Sequence, residues 1–191
     1  SIAGVIDGVE VPVGVAIGGG TGGKLGNGGN VTLKVSGNAI LRTGSIGGGA
    51  TIADSDAYHI GNATVTVDGG DISGQIIMAE GALQNCSFTM TGGVIHNDVK
   101  DPTYIFKNQD GGAIYMDDSS GVAKVSGGVI RDCSARYGGA LYMTAGSFEI
   151  SGTGSVTKCT ANENGGAVYL GGGTMTVSGG TISHCTATNN G

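Results

Sequence analysis

Short stretches of alternating apolar and polar residues recur along this chain, each broken by a Gly-containing corner and followed by a second short apolar run. They occupy 32–40, 64–72, 88–95, 123–130, 148–156 and 175–182. Alternation with a period of two is the pattern of a strand buried on one face. In Met175-Thr176-Val177, Met and Val point one way and Thr the other. Runs this short do not hold together alone, and they become stable when each pairs with its copy in a neighbouring coil. The corners begin at Ser36, Asp68, Thr91, Ser126, Ser151 and Ser178, at intervals of 32, 23, 35, 25 and 27 residues.

A second segment repeats in phase with the first. Glycine pairs open Gly111-Gly112-Ala113-Ile114-Tyr115-Met116, Gly138-Gly139-Ala140-Leu141-Tyr142-Met143 and Gly165-Gly166-Ala167-Val168-Tyr169-Leu170. The larger aliphatic residues belong inside, which puts Tyr115, Tyr142 and Tyr169 outside. Gln75-Ile76-Ile77-Met78 fits the same frame, with Ile77 in the Tyr place. No helical pattern lies within the period, and a fixed repeat of this kind marks a wound coil.

The expected fold is therefore all-β: a parallel β-helix of about seven coils of ~27 residues, with three short strands per coil spaced ~4.8 Å apart. A propeller blade needs ~40 or more residues, and a sandwich gives no reason for in-phase glycine pairs. Residues 31–191 form the repeat array. Residues 1–30 are expected to be a cap or first coil, because Val9, Val11, Val13, Val15 and Ile17 alternate strictly as a longer strand before a glycine-rich loop. The array stops where the next glycine pair would begin, so the chain is expected to be part of a longer polypeptide.

Composition narrows the function classes. The chain has 191 residues, 41 of them Gly, and a formal net charge of −6. Its 9 Lys and Arg are scattered singly. Nucleic-acid binding calls for a positive stripe, so nucleic acid is not an expected partner. No apolar run reaches the ~18–20 residues of a membrane helix, so no membrane insertion is expected in this segment. Three of the four cysteines, Cys133, Cys159 and Cys185, fall in repeat phase. They read as an interior column of packed thiols, and a single disulfide within it is the alternative, since stacked Cα atoms ~4.8 Å apart are within disulfide reach.

The glycine pairs and the Ser-Gly-Gly-Thr-Ile-Ser corner at 178–183 resemble right-handed parallel β-helix repeat proteins of the pectate-lyase-like superfamily. The likeness is nearest to bacterial and archaeal surface adhesin-like proteins with GGA[ILV] repeats. It is carried best by 111–191, more weakly by 31–100, and not by 1–30. The resemblance implies a right-handed coil and an extracellular, cell-surface location. It also implies a buried ladder after the corner, a place that Asp98, Cys133, Cys159 and Cys185 occupy here.

Candidate chemistry is sparse. The tyrosine column is the expected binding strip for a glycan or a host or neighbour-cell surface protein, because aromatic groups suit both; its structural alternative is a cross-coil stack. Superfamily enzymes cleave acidic polysaccharides with carboxylates on neighbouring coils, and Asp117-Asp118 superficially resembles their paired aspartates. No Gly-His-Gly or Arg-x-Lys accompanies the pair. Asp110, Asp117 and Asp118 could stand at inverting-hydrolase separation, or form a solvated turn with a weak calcium site. No other cofactor is expected. Gly18–Lys24 lacks the Ser or Thr of a P-loop, since Leu25 follows. Thr-x-Thr pairs suggest an ice-binding face that Lys124 and Glu149 interrupt. The sequence thus favours a non-enzymatic structural or adhesive segment. The alternatives are a lyase- or hydrolase-like fragment and a filament subunit that self-associates end to end.

Overall fold

The computed structural model describes residues 2–7, 10–11, 17–18, 29–47, 61–78, 85–97 and 110–191. Eighteen strands lie among the described residues. They are β1 (Ile2–Asp7), β2 (Glu10–Val11), β3 (Ile17–Gly18), β4 (Val31–Ser36), β5 (Ile40–Gly47), β6 (Ala63–Met78), β7 (Ser87–His96), β8 (Ile114–Met116), β9 (Val122–Arg131), β10 (Ser134–Ala135), β11 (Leu141–Met143), β12 (Ser147–Ile150), β13 (Ser155–Thr157), β14 (Thr160–Ala161), β15 (Val168–Leu170), β16 (Thr174–Val177), β17 (Thr181–Ser183) and β18 (Thr186–Ala187).

All pair in parallel, in ladders that define the faces of a β-solenoid. The first face runs β1, β4, β6, β7, β9, β12, β16. The second runs β2, β5, β6, β7, β9, β13, β17. The third runs β3, β5, β6, β8, β11, β15. A short fourth ladder, β10–β14–β18, is added in the last coils. Because β5, β6, β7 and β9 bend round corners, the three main faces merge into one 15-stranded sheet.

The expected β-helix class and the ~27-residue repeat hold; the expected count of seven coils does not. The solenoid has about five turns. Insertions explain the difference. Val31 pairs with Ala63 across 32 residues, and Ser87 with Val122 across 35, so the same length winds fewer times. The strand expected across 9–17 falls partly outside the described residues, as does the glycine-rich loop after it. The described parts, β1, β2 and β3, each head one ladder.

The glycine pairs have separate geometric reasons. Gly111, Gly138 and Gly165 sit at φ of 71°, 62° and 71°, which only Gly adopts freely. Their partners fail on space instead: a Cβ on Gly112 would stand 2.1 Å from the carbonyl oxygen of Gly139 in the next coil. The repeat motif thus records one sharp turn and one close approach between coils.

The interior is filled by columns of like position. Leu41, Ile72, Ile95, Ile130 and Val156 stack inside the second face, and Ile46, Ile76, Ile114 and Leu141 inside the third. On the first face Val65, Phe88, Ala123, Phe148 and Met175 align. Ala123 separates two fully buried phenyl rings, so small alternates with large. Each such side chain contributes about 1.5–3 kcal/mol by leaving water.

Candidate functional site

The third face carries the tyrosines. The alternation in β8, β11 and β15 turns Ile114, Met116, Leu141 and Met143 inward and leaves Tyr115, Tyr142 and Tyr169 half-buried on the outer surface. The parallel register sets the three directly over one another, with Ile77 completing the row at its N-terminal side. Tyr115 and Tyr142 stack with centroids 5.4 Å apart and planes within 14°, and Tyr142 and Tyr169 at 5.1 Å and 6°. The rings therefore spend their faces on each other. What they offer outward is ring edges and phenolic hydroxyls, repeated about once per coil.

The surroundings of this ladder are polar and mostly acidic. Tyr115 donates to Asp117 Oδ2 at 3.1 Å. Burial, then the charge of Asp117, pushes its phenol well above the usual range. Arg136 grips Asp110 with two bonds of 2.9 and 2.8 Å and lies 4.9 Å over the ring of Tyr137. Tyr137, which sequence reasoning missed, tilts against Tyr169 at 5.1 Å and donates to Glu163. It lies outside the Gly-Gly-Ala frame, so periodicity gave no signal for it. The hydroxyls of Tyr142 and Tyr169 have no protein partner among the described residues.

The aspartate pair separates on folding. Asp118 is fully buried, and its carboxylate accepts from Cys86 N–H at 2.8 Å, Ser120 N–H at 2.9 Å and Ser120 O–H at 3.0 Å. It ties the turn after β8 to the preceding coil, so the expected solvated turn is, at Asp118, an interior clasp. Asp110 and Asp117 lie beside the tyrosines and engage Arg136 and Tyr115. Among the described residues, no three His, Cys, Asp or Glu side chains stand close enough to hold a metal ion.

Cys133, Cys159 and Cys185 each stand one residue before a rung of the fourth ladder, one coil apart. Cys133 and Cys159 are buried and Cys185 is half-buried, all as free thiols. Each thiol donates to the carbonyl two residues before it: Cys133 to Arg131, Cys159 to Thr157, Cys185 to Ser183. Cys185 also accepts an N–H from the coil before, from Cys159 at 3.4 Å. In the coil before Cys133, Asn97 is bonded to Ser134, the residue that follows the thiol. Asp98, expected there, lies outside the described residues. Asp132, Lys158 and His184, at φ of 51°, 54° and 54°, place a left-handed corner before each cysteine. Asn97 fastens the column to its neighbours, donating to Gly112 and Ser134 carbonyls at 2.9 Å each and accepting from Ser134 N–H at 2.6 Å. Burial pushes the Cys133 thiol up, while the neighbouring Cys133 side chain draws the Cys159 thiol below its usual range.

On the first face the outer row runs Lys34, Thr66, Thr89, Lys124, Glu149, Thr176, so charged residues interrupt the threonines. On the second, Asp71 accepts from His96 Nε2 at 2.8 Å and from Arg42 at 3.3 Å, at the rim of a shallow cleft of about 270 Å³. No described helix is long and apolar enough to cross a membrane. Comparison with protein families, curated proteins and solved structures found no match to this chain.

Proposed function

We propose that this chain is a structural and adhesive segment of an extracellular, cell-surface protein, related to the right-handed pectate-lyase-like repeats it resembles. It holds partners through the tyrosine ladder of its third face. The carrying observation is the in-register stack of Tyr115, Tyr142 and Tyr169, with two hydroxyls at its outer edge that have no protein partner among the described residues. Hydroxyls repeated along a stiff axis suit a glycan chain or a protein surface, and many weak equivalent contacts add up through multivalency. The stacking favours hydrogen bonding at the ring edges over sugar rings laid on exposed aromatic faces. The polysaccharide-cleaving alternative is less well supported, because Asp118 is turned into the core.

The double variant Tyr142→Phe/Tyr169→Phe keeps both stacks and removes both free hydroxyls. Attachment to a glycan array and to cell-surface protein extracts is expected to fall at least several-fold, with Tm within a degree of the parent. Unchanged attachment overturns the reading.

A further inference from the structure

Asn30-Val31-Thr32, Asn62-Ala63-Thr64 and Asn85-Cys86-Ser87 are the Asn-x-Ser/Thr triplets of this sequence, and the fold brings all three into one place. Val31 pairs with Ala63, Thr32 with Thr64, and Thr64 with Ser87. The triplets therefore lie over one another on three successive coils, at the entry to the first face. The Asn column is tied along the axis, since Asn30 Oδ1 accepts the N–H of Asn62 at 2.8 Å. In the next coil the register puts Ser120 and Val122 at the amide and hydroxyl positions, and the pattern ends.

The extended backbone sorts each triplet by side, because residues i and i+2 share a face and i+1 takes the other. The middle residues Val31, Ala63 and Cys86 are accordingly 1%, 0% and 2% exposed. Thr32, Thr64 and Asn85 are exposed, and Asn30, Asn62 and Ser87 are half-buried. Each amide thus stands at the surface with a hydroxyl two residues on, anchored by an inward side chain between them.

We propose that this column is an attachment strip for N-linked oligosaccharides. The inference rests on the extracellular reading above, because such sugars are added to secreted chains. The donor is an oligosaccharide carried on a polyprenyl diphosphate, and an oligosaccharyltransferase reads the triplet. The Asn Nδ2 attacks the anomeric carbon of the first sugar. A C–N bond forms, the bond from that carbon to the diphosphate oxygen breaks, and the diphosphate leaves with the electron pair. One amide proton passes to a carboxylate of the transferase. The product amide keeps one N–H and its carbonyl oxygen, so a modified Asn30 still accepts from Asn62 N–H. Attachment leaves the clasp between the coils in place.

Coil spacing limits the load. Neighbouring Asn residues are one coil apart, ~4.8 Å, too close for two bulky branched sugars side by side. Asn30 and Asn85 are two coils apart, roughly 10 Å. The folded strip therefore carries glycans on Asn30 and Asn85 together, or on Asn62 alone.

The test is secretion of the full chain behind a cleavable leader from a glycosylating eukaryotic cell line. N-glycosidase release in heavy-oxygen water and peptide mapping then locate the sites. Expected in the secreted, folded product are glycans on Asn30 and Asn85 of the same chain, with Asn62 bare. Thr32→Val is expected to strip Asn30, and Thr32→Ser to keep its glycan. The double variant Thr32→Val/Ser87→Ala is expected to move modification to Asn62. Folded product bare at all three Asn, glycans that ignore these substitutions, or a glycan on Asn62 beside a modified neighbour overturns the strip. Attachment through Tyr142 and Tyr169 is scored on bare protein, so failure of either reading shows independently of the other.

Discussion

At Asp132, Lys158 and His184 the backbone enters the left-handed region without a glycine. Asp accepts such angles more readily than Lys does, so the cost is greatest at Lys158. Lys158→Gly is expected to raise stability by about 0.5–1 kcal/mol, measured by chemical denaturation, and a loss of stability would show the side chain is needed there. These corners also show what single residues concealed from sequence reading. The phase of Cys133, Cys159 and Cys185 is plain in the sequence, but the left-handed corner residue before each is not, and neither is the part that Asn97 plays beside Ser134. Tyr137 was hidden for a related reason: its partners, Glu163 and Tyr169, lie one coil away. Titration belongs at this scale too. Desolvation, with the charge of Asp118 adding to it, pushes the Cys86 thiol up to about 11 from an ordinary 9.0. The unfolded chain therefore loses that proton first. Folding stability is intact below pH ~9 and falls as pH rises toward ~11. Burial raises Tyr115 and Tyr142 as well, which extends the fall further into alkali. Melting temperatures measured from pH 7 to 11 are expected to decline only in the upper half of that range.

At the scale of elements, each strand is too short to stand alone and gains its stability from the copy beside it. The alternation of apolar positions was enough to place the inward and outward faces of β8, β11, β12 and β16. It said nothing of how neighbouring coils share volume. The Phe88–Ala123–Phe148 column shows the missing information, because Ala123 is small only in relation to rings in the coils on either side. Ala123→Leu is expected to destabilise by about 1–3 kcal/mol through overpacking, and Phe148→Ala by about 3–5 kcal/mol through a cavity. Denaturant midpoints check both. If Ala123→Leu is neutral, the two rings have room to part and the alternation is not a constraint. The tyrosine ladder is also a property of paired elements. Stacking of β8, β11 and β15 converts three separate phenols into one continuous edge, and this is why the aromatic faces expected for sugar binding are not on offer.

At the scale of the whole molecule, the repeat was legible because one geometric problem is solved again in each coil. Sharp turns need Gly, close coils need Gly, and the interior needs an aliphatic residue every second position. The number of turns was less legible, because insertions between coils lengthen the chain without adding a rung. Function was least legible. The repeated residues build the scaffold, whereas Asp110, Arg136, Tyr137 and Glu163, which shape the outer surface, do not repeat.

The ladders have a mechanical consequence. Every coil is held by its two neighbours and by nothing more distant, so a pull along the axis loads the last pair of coils before any other. When that pair parts, about 27 residues come free at once. At ~3.3–3.6 Å per residue they can extend by roughly 90 Å, in exchange for the ~4.8 Å the coil occupied. Stretched between two anchored ends, the rod is expected to lengthen in a train of steps, one per coil, the longer ones where a coil carries an insertion. Single-molecule force spectroscopy would record them as a sawtooth, and one rip of the full contour length would show that the coils fail together.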